Sequence, residues 1–459
     1  MRQVVLNVCI PLALYQSLNQ LFKILDTLMA SHISASAVST VAYLSQISIM
    51  LSALGGGLAI GASIKISEAY GAGDYELVKR RVSTLFAMCG ILGGALLLIL
   101  APATPEFLRL MNTPEAFITD GSTYFILELF GLVITFFNNV YIAIERARGN
   151  SKRILHLNMG IIAIKLGLTA WFVYGLQGGI TLISIATIIS QGALLVAAIL
   201  NLNQPDNAFG FSFKAITFRK EVVWPMLTLS FPVIVEKVAF SAGKVVVNSM
   251  SAIYGTWTVG ALGISNNIGG ITTTPQNGFK EGGSAIISQN LGGGKAQRAV
   301  DAFKWTLLIN ILLGAVLMSL SLIFLDPITR LFSGNNPEFA AMIAVIYRYE
   351  ALGAIPLGVN AAVHGLLYGF GKTKITLFMN FCRVFVFRIP VLWALQQFTT
   401  LGSESAGIVM AVSNIASGVL AAVVAAVVLW RICRQYRVSF FRKAAQDSAA
   451  ETGCAKKTP

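Results

Sequence analysis

A long apolar stretch of this chain occurs twice, and the two copies are separated by a constant spacing. Residues 10–73 align without a gap on residues 231–294, at a shift of 221. Farther along, residues 149–158 align on residues 371–380 at a shift of 222. A constant offset across half of the protein indicates an internal duplication, which in membrane proteins is typical of transporters.

The composition places the chain in a membrane. Charged residues make up 12% of the chain, apolar residues make up 55%, and the mean hydropathy is +0.72, whereas a soluble domain carries about 25% charged residues. Apolar runs long enough to cross a bilayer recur along both copies. The sequence therefore predicts an all-α polytopic membrane protein with twelve transmembrane helices in two pseudo-symmetric six-helix halves. The expected units are an N-terminal lobe at 1–201, a cytoplasmic linker at 202–222, a C-terminal lobe at 223–432 and a basic cytoplasmic tail at 433–459.

The net charge of +14 does not indicate a nucleic-acid partner, because the basic residues are distributed as in a membrane protein. Most Lys and Arg residues fall in alternate loops, for example at 79–81 and 146–153, and in the tail. Loops on the other side hold only Arg109 and Arg330. By the positive-inside rule, both termini are expected to be cytoplasmic.

The first predicted span contains an acidic residue, Asp26, one turn after Lys23. A carboxylate at membrane depth is costly and is a functional candidate. It forms an ion pair with Lys23 in one interpretation; in the other it binds and releases a cation or proton. The second copy retains the lysine as Lys244 but has Val247 in place of the aspartate. This difference favours a single coupling site in the first half, with Asp26 as the candidate Na⁺ ligand.

Other polar residues of the first half lie in predicted spans. Na⁺ and hydronium prefer oxygen ligands, and amide and hydroxyl side chains could supply them beside Asp26. The same side chains also join membrane helices by hydrogen bonds, and the sequence leaves both roles open. The residues are Asn138, Asn139, Asn158 and Thr181.

The second half is rich in polar and charged residues within its predicted spans. They form either an ion-paired lining or a polar cavity that contacts a substrate, and His364 alone does not establish a proton relay. No nucleophile–base arrangement is evident, so an enzyme is not expected. The basic loops after the repeated glycines lack a Walker lysine pattern, so no cofactor and no direct use of ATP are expected. The candidates for a substrate cleft are Lys23, Glu236, Lys237, Lys244, Asn266, Asn267, His364 and Arg388.

Three segments together resemble the MATE (multidrug and toxic compound extrusion) family, part of a superfamily that includes lipid-linked oligosaccharide flippases. They are the sequence LDTLMA at 25–30, the Gly-Ala-Gly-Asp sequence at 71–74, and the Gly-Asn-Ser-Lys segment at 149–152 with Asn158. The resemblance implies twelve helices in two six-helix lobes around a central cleft, and export driven by inward Na⁺ or H⁺ movement. It also implies that Asp26 and Asn158 correspond to the cation- or proton-binding aspartate and asparagine of the family, with Thr181 and Asn138 or Asn139 near other ligand positions. An acidic residue found in the fifth helix of some members is replaced here by Ile162.

The main hypothesis is therefore a monomeric antiporter of a bacterial inner membrane. It would export a bulky organic compound, cationic or amphipathic, in exchange for Na⁺ or H⁺ by alternating access. The alternative hypothesis is a flippase for a lipid-linked saccharide, which would need a strongly cationic cleft to hold a pyrophosphate. The residues that support the alternative are Lys23, Lys237, Lys244, Arg383 and Arg388.

Overall fold

The computed structural model describes residues 1–30, 35–111, 113, 115–204, 207, 209–333 and 336–440. Within these ranges, the side chains of residues 22–30, 35–43, 46, 116, 117, 120, 180 and 256 are not described.

The first half of the chain forms seven helices. A π-helical turn at Trp171–Gly175 follows the sixth of them. The helices are α1 (Arg2–Ala30), α2 (Ala35–Gly71), α3 (Tyr75–Leu100), α4 (Thr104–Leu110), α5 (Glu115–Ala147), α6 (Ser151–Ala170) and α7 (Ile180–Leu202).

The second half repeats this order with more interruptions. A π-helical turn at Cys382–Val386 again breaks the fifth spanning element. The helices are α8 (Lys220–Ser251), α9 (Thr256–Gly292), α10 (Ala296–Ile323), α11 (Leu325–Ser333), α12 (Pro337–Ala351), α13 (Ala354–Gly369), α14 (Thr373–Phe381), α15 (Ile389–Phe398) and α16 (Glu404–Tyr436).

The described helices confirm an all-α polytopic membrane protein. Ten are long and apolar enough to cross a membrane, or eleven when the pair α12 and α13 is counted as one span. That pair is bent by 48° at the break between the two helices. Helix α9 has 37 residues, which is also long enough to cross, but its amide and charged residues lower its hydropathy. With α9 included, the spanning elements number twelve.

Two helix pairs, which we call seams, join the halves. The internal duplication relates one seam to the other. Helix α2 packs on α8, and α9 packs on α1. An added Cβ at Gly61 would overlap the backbone of Ser230, and one at Gly282 would lie 2.7 Å from the Sγ atom of Cys9. The shift of 221 relates Gly61 to Gly282, and it also relates their partners Cys9 and Ser230.

One turn earlier along the seam helices, a second pair of contacts follows the same shift. Gly57 lies against Ile234, and Gly278 lies against Ala13. Glycine at these positions lets membrane helices approach closely, as their spacing in the sequence predicts.

One helix of each seam, α8 or α1, begins inside the hydrophobic core of the opposite half. Val5 and Cys9 of α1 lie in the core formed by α9, α10, α13, α14 and α16. In the same way, Val222 and Met226 of α8 lie in the core of the first half. The two halves therefore hold each other through the starts of α1 and α8.

Candidate functional site

The two halves are closed against each other where α2 and α9 end. An added Cβ at Gly71 would overlap the carbonyl oxygen of Gln289, and one at Gly292 would overlap the carbonyl oxygen of Glu68. These contacts are again related by the shift of 221. Backbone atoms cannot rotate away, so these glycines allow the two helix ends to touch. We call this region the closed end.

A buried ion pair crosses the closed end. Arg146 of α5 donates to Glu281 of α9, and their side chains are only 6% and 16% exposed. Next to it, the Gln289 amide donates to the carbonyl oxygen of Ala147. The charge pattern of the sequence places Arg146 in a cytoplasmic loop; in the structure it lies in the last turn of a helix and links the two halves.

We expect Arg146→Gln to destabilise the protein by about 2 kcal/mol, because breaking a buried pair leaves a charge without compensation. The double variant with Glu281→Gln should recover part of this loss. Thermal unfolding of the purified protein measures both. Arg109→Gln provides the control, since Arg109 and Glu115 form an exposed pair whose loss should not measurably change the unfolding temperature. Equal effects of the single and double variants would contradict the coupling.

Glu236 is the centre of a second polar group, inside the second half. Its side chain lies on α8, and the residue is 5% exposed. One carboxylate oxygen accepts hydrogen bonds from the Tyr368 hydroxyl at 2.9 Å and the Asn380 amide at 2.6 Å. The other accepts from the Thr376 hydroxyl at 2.7 Å. Among the described residues, no Lys or Arg forms an ion pair with it, so three neutral donors hold a carboxylate at membrane depth.

His364 and Lys237 lie around this carboxylate. The imidazole of His364 packs edge-on against the ring of Tyr368. Its Nδ1 atom lies 2.9 Å from the carbonyl oxygen of Asn360. Its buried Nε2 atom has no hydrogen-bond partner among the described residues. Lys237 points the other way, toward the first half. A Cβ placed on Gly56 of α2 would lie 3.5 Å from the Lys237 ammonium and 3.8 Å from the amide nitrogen of Asn139. Two predicted residues from different halves thus meet at Gly56.

A third polar group lies farther along the second half. Arg388 is 2% exposed and donates to the hydroxyl of Ser413 and to the amide oxygen of Asn414. Arg383, from the π-helical turn, donates to that same oxygen at 2.8 Å. The predicted cleft residue Lys244 is exposed, and its ammonium lies 5.1 Å from the centre of the Phe240 ring.

The predicted oxygen ligands of the first half do not converge. Asn138 donates to the backbone and side-chain oxygens of Gln191, and Asn158 donates to the carbonyl oxygen of Ile154 in its own helix. Thr181 is half-buried. No hydrogen bond joins these predicted ligands to one another in the part of the chain that is described. The Asn138 contact joins α5 to α7, whereas that of Asn158 lies within α6. The buried amide oxygen of Asn138 has no partner among the described residues.

The remaining predicted residues are placed as follows. Asn266 donates to the carbonyl oxygen of Leu262 in its own helix, and the backbone oxygen of Asn267 accepts from Gln20 of α1. Lys23 and Asp26 belong to α1, but their side chains lie outside the described residues. Within the described side chains, no group of three or more His, Cys, Asp or Glu residues could hold a metal ion. The candidate Na⁺ ligand Asp26 is therefore not tested by this structure.

Sequence reasoning missed the donors around Glu236. Nothing in the sequence marks Tyr368 and Thr376 as partners of a buried carboxylate, because hydroxyl side chains are common in membrane helices. Asn380 carries one, since the shift of 222 aligns it with Asn158. A repeated asparagine in the fifth spanning element of both halves indicates a polar position in each.

Comparison with known proteins identifies the class. The family model MatE matches the chain twice, at residues 11–171 and 232–394, and the two matches begin one repeat apart. A solved structure, described as the outward-facing conformation of a multidrug resistance MATE family transporter of the MOP superfamily, covers 94% of this chain and 97% of its own. Its TM-score is 0.89 at 17% sequence identity, which establishes a common fold.

Two curated relatives span most of the chain. The probable multidrug resistance protein YoeA of Bacillus subtilis is 24% identical over 75% of this chain and 76% of its own length. The probable multidrug resistance protein NorM of Thermotoga maritima is 21% identical over 89% of each. The chain is a multi-pass membrane protein built from two six-helix halves. It belongs to the MatE family of transporters, as its sequence motifs predict.

Proposed function

We propose that the protein is a secondary active antiporter that exports a bulky organic compound in exchange for Na⁺ or H⁺ by alternating access. The observation that carries the proposal is Glu236, a buried carboxylate held by Tyr368, Thr376 and Asn380 without an ion-paired base. Neutral donors orient the carboxylate but leave its charge for a cation or proton to balance. Such a group binds and releases a coupling ion more readily than one locked in an ion pair.

Asp26 is proposed as a second coupling carboxylate, in the first half. Its place in α1 is the counterpart of Val247 in α8, whereas Glu236 is the counterpart of Tyr15. The two halves would therefore each contribute one carboxylate, at different levels of related helices. Asn138, Asn139, Asn158 and Thr181 remain candidates for oxygen ligands near Asp26.

The closed end supports alternating access. Arg146, Glu281, Gly71 and Gly292 seal one end of the boundary between the halves, and export requires that this seal open and the other end close. Ion binding shifts such an equilibrium only by its difference in affinity for the two states. We further propose that the closed end is cytoplasmic, since the basic loops and both termini are expected there.

The proposed organisation keeps the predicted units. These are lobes at 1–201 and 223–432, a cytoplasmic linker at 202–222 and a basic tail at 433–459, in a bacterial inner membrane and as a monomer. The relatives reported above are named as multidrug proteins. They do not favour the flippase hypothesis.

Transport into proteoliposomes tests the function. Wild-type protein would be exposed to an imposed pH or Na⁺ gradient with two amphipathic dyes, cationic ethidium and anionic 8-anilinonaphthalene-1-sulfonate. We expect gradient-dependent movement of at least one dye, abolished by an ionophore that collapses the gradient. Which ionophore acts identifies the coupling ion.

Asp26→Asn should reduce this transport about tenfold, as expected when one charged interaction worth about 1.4 kcal/mol is lost. Asp326→Asn, a carboxylate at the start of the short helix α11, serves as the matched control and should transport normally. Transport by Asp26→Asn at the wild-type rate would show that Asp26 is not a coupling site. Its remaining role would be the structural ion pair with Lys23.

A further inference from the structure

Three positive side chains of the second half gather around one aromatic ring and one amide. We call them the Arg383 cluster, defined as Lys244, Arg383 and Arg388 with Phe240 and Asn414. The Arg383 guanidinium lies 5.2 Å from the centre of the Phe240 ring, and the Lys244 ammonium lies 5.1 Å from it. Arg383 and Arg388 both donate to the amide oxygen of Asn414. Three like charges are thus held around two neutral groups.

The described carboxylate that acts on the cluster, Glu350, forms no ion pair with either guanidinium group. The carboxylate of Glu350 is within electrostatic range of all three cations, but its closest partner is the hydroxyl of Ser265. Neither Arg383 nor Arg388 forms an ion pair within the described part of the chain. Charged groups at membrane depth are costly unless paired, and bringing two guanidinium groups to one neutral oxygen adds their mutual repulsion.

Arg383 also has unused hydrogen-bonding capacity. Within the described residues, its side chain donates one hydrogen bond, to Asn414, and its buried Nε atom has no partner. A guanidinium presents a planar set of donors that matches the oxygens of a carboxylate, sulfonate or phosphate. The unsatisfied donor therefore points to a ligand that carries such a group.

A π-helical turn positions the central cation of this cluster. The π-helical turn at Cys382–Val386 places Arg383 against α8, and its Val384 fits against Gly243, where any side chain would overlap it. π-Helical insertions are frequently found at functional sites. Exposure decreases inward, from exposed Lys244 through half-buried Arg383 to buried Arg388. Lys244 is therefore the most exposed cation of the cluster and Arg388 the most buried.

We propose that the Arg383 cluster binds the oxyanion group of the cargo, an amphipathic organic anion bearing a carboxylate, sulfonate or phosphate. The cargo assignment rests on the proposed export function; of the cationic or amphipathic compounds expected from the sequence, it selects an amphipathic anion. Arg383 binds the oxyanion, Lys244 attracts it at the entrance, and Phe240 supports its apolar body. Arg388 and Asn414 position Arg383.

Equilibrium binding tests the cluster without any ion gradient. Purified protein in nanodiscs of neutral phosphatidylcholine would be titrated with 9-anthracenecarboxylate and with 9-anthracenemethylammonium, which share an aromatic body but carry opposite charges. Fluorescence anisotropy should show the carboxylate binding at least about tenfold more tightly. Arg383→Gln should weaken carboxylate binding at least about tenfold, as expected for a charge-assisted hydrogen bond, and leave the ammonium probe unaffected.

Two further variants separate charge from folding. Lys244→Gln changes an exposed side chain and should weaken carboxylate binding severalfold in a fully folded protein. Arg80→Gln removes the same charge from an exposed site on α3 and should change nothing. Equal affinity for the two probes, or unchanged binding by both Arg383→Gln and Lys244→Gln, would overturn the proposal. So would full displacement of the probe by equimolar inorganic phosphate, which would assign the cluster to a small ion.

The binding experiment tests the cargo assignment, and the transport experiment tests the export function, so either proposal can fail while the other stands. Gradient-driven dye transport without selective anion binding would overturn the cargo assignment and leave the antiporter standing. Selective anion binding without transport of either dye would support the cluster and count against ion-coupled export of these compounds.

Discussion

Glu236→Gln should reduce gradient-driven transport on the order of 100-fold while the protein stays folded. Glutamine keeps the size of the side chain and can still accept from Tyr368 and Asn380 through its oxygen, while its amide donates to the Thr376 hydroxyl. The charge is lost, and with it an interaction with the coupling ion of about 3 kcal/mol. The measurement is initial dye transport in proteoliposomes, with unfolding temperature recorded on the same preparation.

Glu236→Ala separates the structural role of the carboxylate from its charge. Alanine removes the acceptor of the Tyr368 hydroxyl and the Asn380 amide, each loss costing about 1–3 kcal/mol, so this variant should lose both transport and stability. The Thr376 hydroxyl can still donate to the carbonyl oxygen of Thr373. Glu221→Gln provides a control on the same helix, because Glu221 is exposed at the start of α8. Normal transport by Glu236→Gln would show that the carboxylate only ties α8 to α13 and α14.

The duplication allowed most of the fold to be predicted from the sequence. A shift of 221 in glycine positions predicts that two related helix pairs approach closely, and the seams at Gly61 and Gly282 confirm it. Their partners could not be predicted, because Cys9 and Ser230 occupy the same repeat position but differ in type. Small size, which both share, is what the seam requires.

The interior sites were harder to predict, because their partners come from distant parts of the chain. Glu236 is recognisable as a buried charge, but its donors lie more than 130 residues away. The ion pair of Arg146 with Glu281 could not be predicted for a related reason: the positive-inside rule counts basic residues near helix ends and carries no information on their partners. The Arg383 cluster depends on a π-helical turn, which no local pattern of side chains in this sequence indicates.

Gly292→Ala should open the closed end. A Cβ at this position would overlap the carbonyl oxygen of Glu68, and no side-chain rotation relieves an overlap with backbone. Helix α9 must then move away from α2. Since α9 also covers Cys9 of α1 through Gly282, its movement should uncover that thiol, which is fully buried in this structure.

The reaction of Cys9 with a water-soluble maleimide measures this opening, in protein whose other four cysteines are replaced by serine. We expect Gly292→Ala to raise the labelling rate at least about tenfold, equivalent to a shift of about 1.4 kcal/mol toward the open state. Gly263→Ala is the matched control on the same helix, because a Cβ there has nothing within 4 Å. If both variants label Cys9 at the wild-type rate, the contact between Gly292 and Glu68 does not hold the closed end together. If Gly292→Ala alone accelerates labelling, two glycines one repeat apart form the seal that export must break.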